Sequence, residues 1–212
     1  SLYLGGVTRR FPQLRFALLE GGAAWGCELY NAMVEHWEKR NLEAMKRNLD
    51  PAKLDMALMV DMMAKYGNAW LTPERMKGYQ STYNARLDED PATLDDFRAL
   101  AIEKPEDLRE LFVHSFYFGC EADDRMSAVA FDTRLNHFDA KIKAVFGSDI
   151  GHWDVIDALQ VVPEAYAMVE EGLITPGQFR EFVFTNNVTL HTALNPDFFT
   201  CTPVRYAPAA RE

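Results

Sequence analysis

Three acids in this chain stand just past short apolar runs, and carboxylates so placed can hold a divalent ion or accept a proton. The first is Asp149 in KAVFGSDIGHWDV, Lys143 to Val155, with His152 and Asp154 close behind it. The run Ala144, Val145, Phe146 is unbroken and flanked by turn formers, which suits a strand buried on both faces. Asp149 then lies beyond the strand's C-terminal end, where parallel α/β proteins gather ligands and catalytic groups. The competing reading makes Asp149 the cap of the helix that follows. Glu20 and Glu121 share the setting. LRFALL (Leu14 to Leu19) runs into Glu20, Gly21 and Gly22, and FYFGC (Phe116 to Cys120) runs into Glu121, Asp123 and Asp124. One such acid is unremarkable, whereas three at equivalent positions weigh against capping.

The elements that must position these acids are legible between the runs. A helical tract follows Gly22, with Trp25, Leu29, Met33 and Trp37 recurring every four residues and Glu35/Lys39 and Glu43/Arg47 as exposed charge pairs. Asp50 and Pro51 signal a second helix that Gly67 closes, and its Met56, Met59, Met62 and Met63 read as core. Residues 68 to 106 turn polar and read as an elaborated insertion, with a short helix starting at Asp90-Pro91. A helix to about Ala140 is expected after the second strand, and another from Ile156 to Glu171 after the third. Thr175, Pro176 and Gln178 then form a capping-box start, and NPDFF closes the chain as a loop packing aromatics. The opening, with Gly5, Gly6 and Pro12, reads as a helix end and loop. Strands separated by helices predict a parallel α/β fold with right-handed crossovers.

Bulk properties narrow the function classes. The 212 residues are 48% hydrophobic and 25% charged, ordinary for one globular domain spanning 1–212. A net charge of -10 without a Lys/Arg cluster argues against nucleic-acid and anionic-membrane partners. Cys27, Cys120 and Cys201 show neither disulfide-framework nor zinc-knuckle spacing, which fits reduced thiols and a cytoplasmic protein. No apolar stretch has the length of a membrane span. The chain begins at Ser1 with no initiator Met and no signal-peptide pattern, as expected of the interior or C-terminal part of a longer protein.

FPQLRFALLEGGAAW, FGCEADDRM and VFGSDIGHWDV, together with FREFVFTNN and NPDFF, resemble the C-terminal half of the amidohydrolase-2 group of the amidohydrolase superfamily. That group includes aminocarboxymuconate-semialdehyde decarboxylase and γ-resorcylate decarboxylase. The resemblance spans most of the chain outside about 68 to 106. It implies a helix-rich α/β fold that is the C-terminal part of a TIM (β/α)8 barrel, with the three apolar runs as strands six, seven and eight. It also implies a metal-dependent hydrolase or non-oxidative decarboxylase acting on a small carboxylated or aromatic substrate. Asp149 matches the strand-eight aspartate, a metal ligand and proton acceptor. Relatives carry a histidine after strand six where this chain has Glu20, which leaves Glu20 either as an oxygen ligand or, the role preferred here, as a substrate contact. His152 matches the histidine of an SDxPH pattern, with Gly151 in place of the proline. It reads as a residue orienting Asp149, a pocket wall, or an ordinary loop histidine, and Glu121 joins it as a candidate lining residue. His36, His114, His137 and His191 read as structural.

The family's strand-one HxH or ExH pair and strand-five histidine have no counterpart in this chain. Three strands do not close a barrel, so the expected partners are the missing N-terminal half or another copy of the chain. Zinc or manganese is the expected cofactor of the complete barrel, with no tight metal binding by the 212 residues themselves. The rival expectation is a catalytically silent, helix-rich binding or scaffolding protein whose surface is the Met56–Met63 helix.

Overall fold

A computed structural model describes residues 1–50, 53–72, 75 and 94–203. The chain divides into two compact units, Ser1–Glu35 with Ala99–Glu212, and His36–Arg98. The first is built on three parallel strands, β1 (Phe16–Leu18), β2 (Phe116–Cys120) and β3 (Lys143–Phe146), in the spatial order β1-β2-β3. β2 is the middle strand: Ala17 faces Tyr117, which faces Lys143, and Gly119 faces Val145. The fold is thus α/β and helix-rich, with the expected parallel order in an open sheet. β1 is shorter than its apolar run because the Leu14 N–H is taken by the Phe11 carbonyl at 3.0 Å, in a turn.

This register sorts the side chains onto two faces, since successive residues of a strand alternate. Phe16, Leu18, Phe116, Phe118 and Phe146 share the helix-covered face. Phe118 meets Trp25 edge-on at 5.5 Å, and Phe112 of α5 (Glu106–Ser115) lies 5.2 Å from Phe116. α2 (Ala23–Arg40) comes so near Phe118 that a Cβ on Gly26 would sit 2.7 Å from the ring. That approach corrects the expected stripe. The buried residues of α2 are Ala23, Gly26, Cys27, Tyr30, Met33 and Val34, while Trp25 and Leu29 are exposed. The small residues let the helix settle on the aromatic ring, which carries Tyr30 and Met33 inward and leaves Trp25 and Leu29 toward solvent.

Arg15, Ala17, Leu19, Tyr117, Gly119, Lys143 and Val145 belong to the opposite face. Its middle is filled from both sides, because a Cβ on Gly119 would meet Leu19 at 2.8 Å and Val145 at 3.1 Å. Its N-terminal end is basic. Arg15 Nη2 lies 2.6 Å from His114 Nε2, and Lys143 Nζ donates to the His114 carbonyl at 3.2 Å and the Tyr117 hydroxyl at 3.3 Å. Burial, and then the Arg15 charge, bring Lys143 down from 10.5 to about 8. Above pH 8 the unfolded chain therefore binds more protons at this site than the folded one, so stability rises with pH there and the contribution is lost as pH falls through 8. Burial holds the Cys27 thiol up, from 9.0 to about 11, which opposes the rise above pH 9. Urea unfolding between pH 8 and 9 should show this rise, and Lys143→Met should flatten it.

Several connections differ from expectation. The opening forms a short helix, α1 (Val7–Arg10), within the predicted loop. The helix expected to reach Ala140 is two 3-10 segments, Arg125–Ala130 and His137–Asp139. Polar side chains divert the backbone between them: Asp132 accepts the Arg134 N–H at 3.1 Å, and Asn31 ties Asn136 at 3.0 Å and the His137 N–H at 2.9 Å. After β3 the helix starts late, as α6 (Val161–Glu170), leaving Ile156 96% exposed. The capping box is present on α7 (Pro176–Arg180), with Gln178 N–H to the Thr175 hydroxyl at 3.2 Å and Thr175 N–H to the Gln178 carboxamide at 2.8 Å. α7 continues through a π-helix, Glu181–Thr185, into α8 (Asn186–Thr192). This run packs along β3, where the Asn186 amide donates to the Ala144 carbonyl at 2.8 Å.

In the second unit, α3 (Leu42–Ala44) leads into a π-helix, Met45–Leu49, and α4 (Met56–Tyr66) follows. Asp55, rather than Asp50, caps α4 by accepting the Leu58 N–H at 2.9 Å, and Gly67 closes it. The expected core role of its methionines is not observed, since no residue of α4 is buried and Met62 is exposed. Periodicity reveals an apolar face but not whether anything covers it. Most of the region read as an insertion, Asp90 and Pro91 included, lies outside the described residues.

Candidate functional site

All three strand-end acids fall at the same end of the sheet because the strands are parallel and in register. Glu121 directly follows β2, while Glu20 and Asp149 lie a few residues beyond β1 and β3. Glu20 has φ 64° and Asp149 φ 50°, left-handed values that cost a non-glycine residue of order 1 kcal/mol and cluster at functional sites. Gly22, with φ 76°, turns the chain so that its N–H reaches the Gly119 carbonyl at 3.2 Å. That bond ties the Glu20 loop to the end of β2.

Glu20, Glu121 and Asp149 line one cavity of about 300 Å³. Its floor is the apolar strand face of Ala17, Leu19, Gly119 and Val145, with Phe146 and Gly147 at the end of β3, and α8 adds Asn187, Leu190 and His191. A second cavity of about 270 Å³ shares Glu121 and Asp149, and adds Asp123, Asp154, Asp157 and Glu164. The two acids held in common form the wall between an apolar hollow and an acidic one. Glu121 feels this crowding. Loss of water at the wall, and then the carboxylates of Asp149, Asp123, Asp154 and Glu20, hold its carboxyl above the ordinary value.

Asp149 does not cap a helix, because α6 begins only at Val161 and the turn after Asp149 closes on itself, His152 N–H to Asp149 carbonyl at 3.1 Å. Its carboxylate instead meets His152 Nδ1 at 2.8 Å, with the Asp149 side chain well covered and His152 exposed. Gly151, at φ 115°, supplies the backbone conformation that folds the histidine back onto the acid. Asp154 joins them. One donor atom from each of Asp149, His152 and Asp154 falls within 4.8 Å of the others. Two carboxylate oxygens and one imidazole nitrogen form a donor set suited to manganese or zinc.

The expected site residues Glu20, Glu121, Asp149 and His152 are therefore brought to one end of the sheet. Asp154 and His191 were missed. For Asp154 the signal was present in SDIGHWD, where acid, histidine and acid lie within six residues. His191, expected to be structural, lines the cavity, and its ring stacks on Phe198 at 4.7 Å with Phe199 edge-on at 6.0 Å. These are the aromatics of the closing NPDFF, which thus hold His191 in place without lining the cavity themselves. His36, His114 and His137 are held elsewhere, by Phe97, Arg15 and Glu35 respectively. Among the described residues no helix is long and apolar enough to cross a membrane. Compared with family models, with curated proteins and with solved structures, the chain finds no match.

Proposed function

We propose that the chain is part of a metal-dependent hydrolase or non-oxidative decarboxylase of the amidohydrolase-2 type, its sheet being strands six to eight of a (β/α)8 barrel. The supporting observation is the convergence of Glu20, Glu121 and Asp149 on one cavity at the C-terminal ends of three consecutive parallel strands. Remaining strands, from further polypeptide or a second copy, would complete the barrel. Zinc or manganese would be held by Asp149, with His152 and Asp154 as the nearest further donors, and would supply Lewis acidity toward the substrate.

The chain's own residues have separable tasks in this reading. Asp149 accepts the proton of the attacking water in hydrolysis and relays a proton toward the carbon that loses carbon dioxide in decarboxylation, and His152 fixes its orientation through the 2.8 Å contact. Glu121, held protonated to a higher pH than an ordinary carboxyl, is suited to give a proton back. The apolar floor and the stacked His191 take the aromatic body of a substrate, while Glu20 holds a polar group at the rim. The test is turnover of small aromatic carboxylates, esters and amides by the protein carrying its remaining strands, supplied with zinc or manganese. Absence of both carbon dioxide release and hydrolysis across the panel would end this reading. Within that assay, Glu20→Gln should impair activity and leave metal content unchanged, and a loss of metal would make Glu20 a ligand.

A second reading, an interaction protein without catalysis, is favoured by one observation: α4 carries Met56, Met59, Met62 and Met63 with no residue buried. Turnover that persists in Met59→Glu and Met62→Glu would separate the two.

A further inference from the structure

The acids gather at one end of the strands; the opposite end, roughly 13 Å away at about 3.3 Å per residue, carries the reverse charge. Arg15 precedes β1, Lys143 opens β3, and both converge on His114 at the end of α5. Arg15 donates to the ring nitrogen, so that nitrogen is an acceptor and the imidazole is neutral. The ring therefore separates two cations without balancing either. Among the described residues no carboxylate forms an ion pair with Arg15 or Lys143, and Glu110, the acid of α5 nearest in sequence to His114, is paired with Arg109 at 2.8 Å. In a chain of net charge -10, two half-buried cations held together without a counter-charge form a local electrostatic deficit.

We propose that this end of the sheet is an oxyanion site, in which Arg15 and Lys143 bind a free carboxylate or phosphate group above Ala17 and Tyr117. Arg15 spends Nη1 on the Pro12 and Leu14 carbonyls, at 2.8 and 2.9 Å, and one Nη2 N–H on His114, which leaves Nε and the second Nη2 N–H, adjacent donors on one edge of the guanidinium, for two oxygens of such a group. Lys143 spends two of its three N–H groups, on the His114 carbonyl and the Tyr117 hydroxyl, which leaves one to donate. Tyr117 is fully buried and Ala17 exposed, so the site has a fixed floor and an open approach. Arg15, His114, Tyr117 and Lys143 line neither acid cavity, Ala17 alone being common to the site and the first of them, and the site does not depend on the proposed catalysis.

The probes are inorganic phosphate and acetate, titrated into the 212-residue chain at pH 7 with chloride holding ionic strength constant, and followed by the NMR signals of the His114 ring and the Tyr117 amide. Saturable binding of at least one probe below about 10 mM is expected, weakened at least tenfold in Arg15→Gln and in Lys143→Gln. Tighter binding of phosphate marks a phosphate-bearing ligand, and acetate equal or tighter marks a carboxylate. Raising the pH to 9.5 neutralises Lys143 and should weaken the binding of acetate, whose own charge is constant over that range, whereas neutral His114 and protonated Tyr117 do not change and Glu110 remains paired. Responses no greater than that of chloride, or saturable binding that survives both substitutions, would overturn the proposal. The titration of the unsubstituted chain decides the first of these even if a variant fails to fold.

Discussion

Asp149→Asn, made in the completed barrel of the proposed function, is expected to lower turnover by at least about a hundredfold, the scale of a positioned acid-base group, while the fold survives. The substitution keeps the side chain's size and one acceptor oxygen, so the contact with His152, 2.8 Å in the native chain, can be partly rebuilt. What it removes is the capacity to take up a proton and the negative charge that a cation would meet. The backbone at Asp149 has φ 50°, a conformation asparagine adopts as readily as aspartate, so strain is not added. Circular dichroism and the urea midpoint should accordingly stay near those of the parent. Rates within a few-fold of normal would remove Asp149 from the chemistry, and with it the link between the strand-end acids and catalysis.

The largest stability effect is expected at Phe112. Its ring is 1% exposed and lies among Tyr3 at 5.4 Å, Tyr30 at 5.5 Å, Phe116 at 5.2 Å and Phe118 at 5.8 Å. Through those contacts it joins α2 and α5 to the helix-covered face of β2. Phe112→Ala should cost about 3–5 kcal/mol, from lost transfer energy and from a cavity that several rigid rings cannot collapse to fill. A domain of ordinary stability has about 5–15 kcal/mol in total, so the variant stands near the limit of folding. Phe112→Leu should fall between it and the parent. Phe11→Ala, at a ring 45% exposed, is the contrast and should shift stability far less. A loss below about 1 kcal/mol in Phe112→Ala would show that the aromatic cluster is loosely packed.

The three strands were legible because each is a compact apolar run ended by glycine or acid, and the capping box was legible because its hydrogen bonds are local to Thr175 and Gln178. Glu20, Glu121 and Asp149 stood out for the same reason, as acids one to three residues past runs that had to be buried. Spacing was a poorer guide to which helix face goes inward. Trp25 and Leu29 carry the stronger apolar signal, yet the small residues around Gly26 make the closer contact with Phe118. It was poorer still for the segment after β2, where Asn136 and Asp132 compete with the helix for backbone hydrogen bonds through partners, such as Asn31, more than a hundred residues away.

Sequence by itself therefore determined the local features of this protein: the apolar runs, the turn residues and the acids that follow them, since each depends on neighbours along the chain. Tertiary structure decided which groups meet. His191 reaches the cavity because α8 is held beside β3 by Asn186, and Arg15, His114 and Lys143 meet because parallel strands align their N-terminal ends in space. Those encounters join residues from 29 to more than 100 positions apart, brought together by packing that no periodicity within a window encodes.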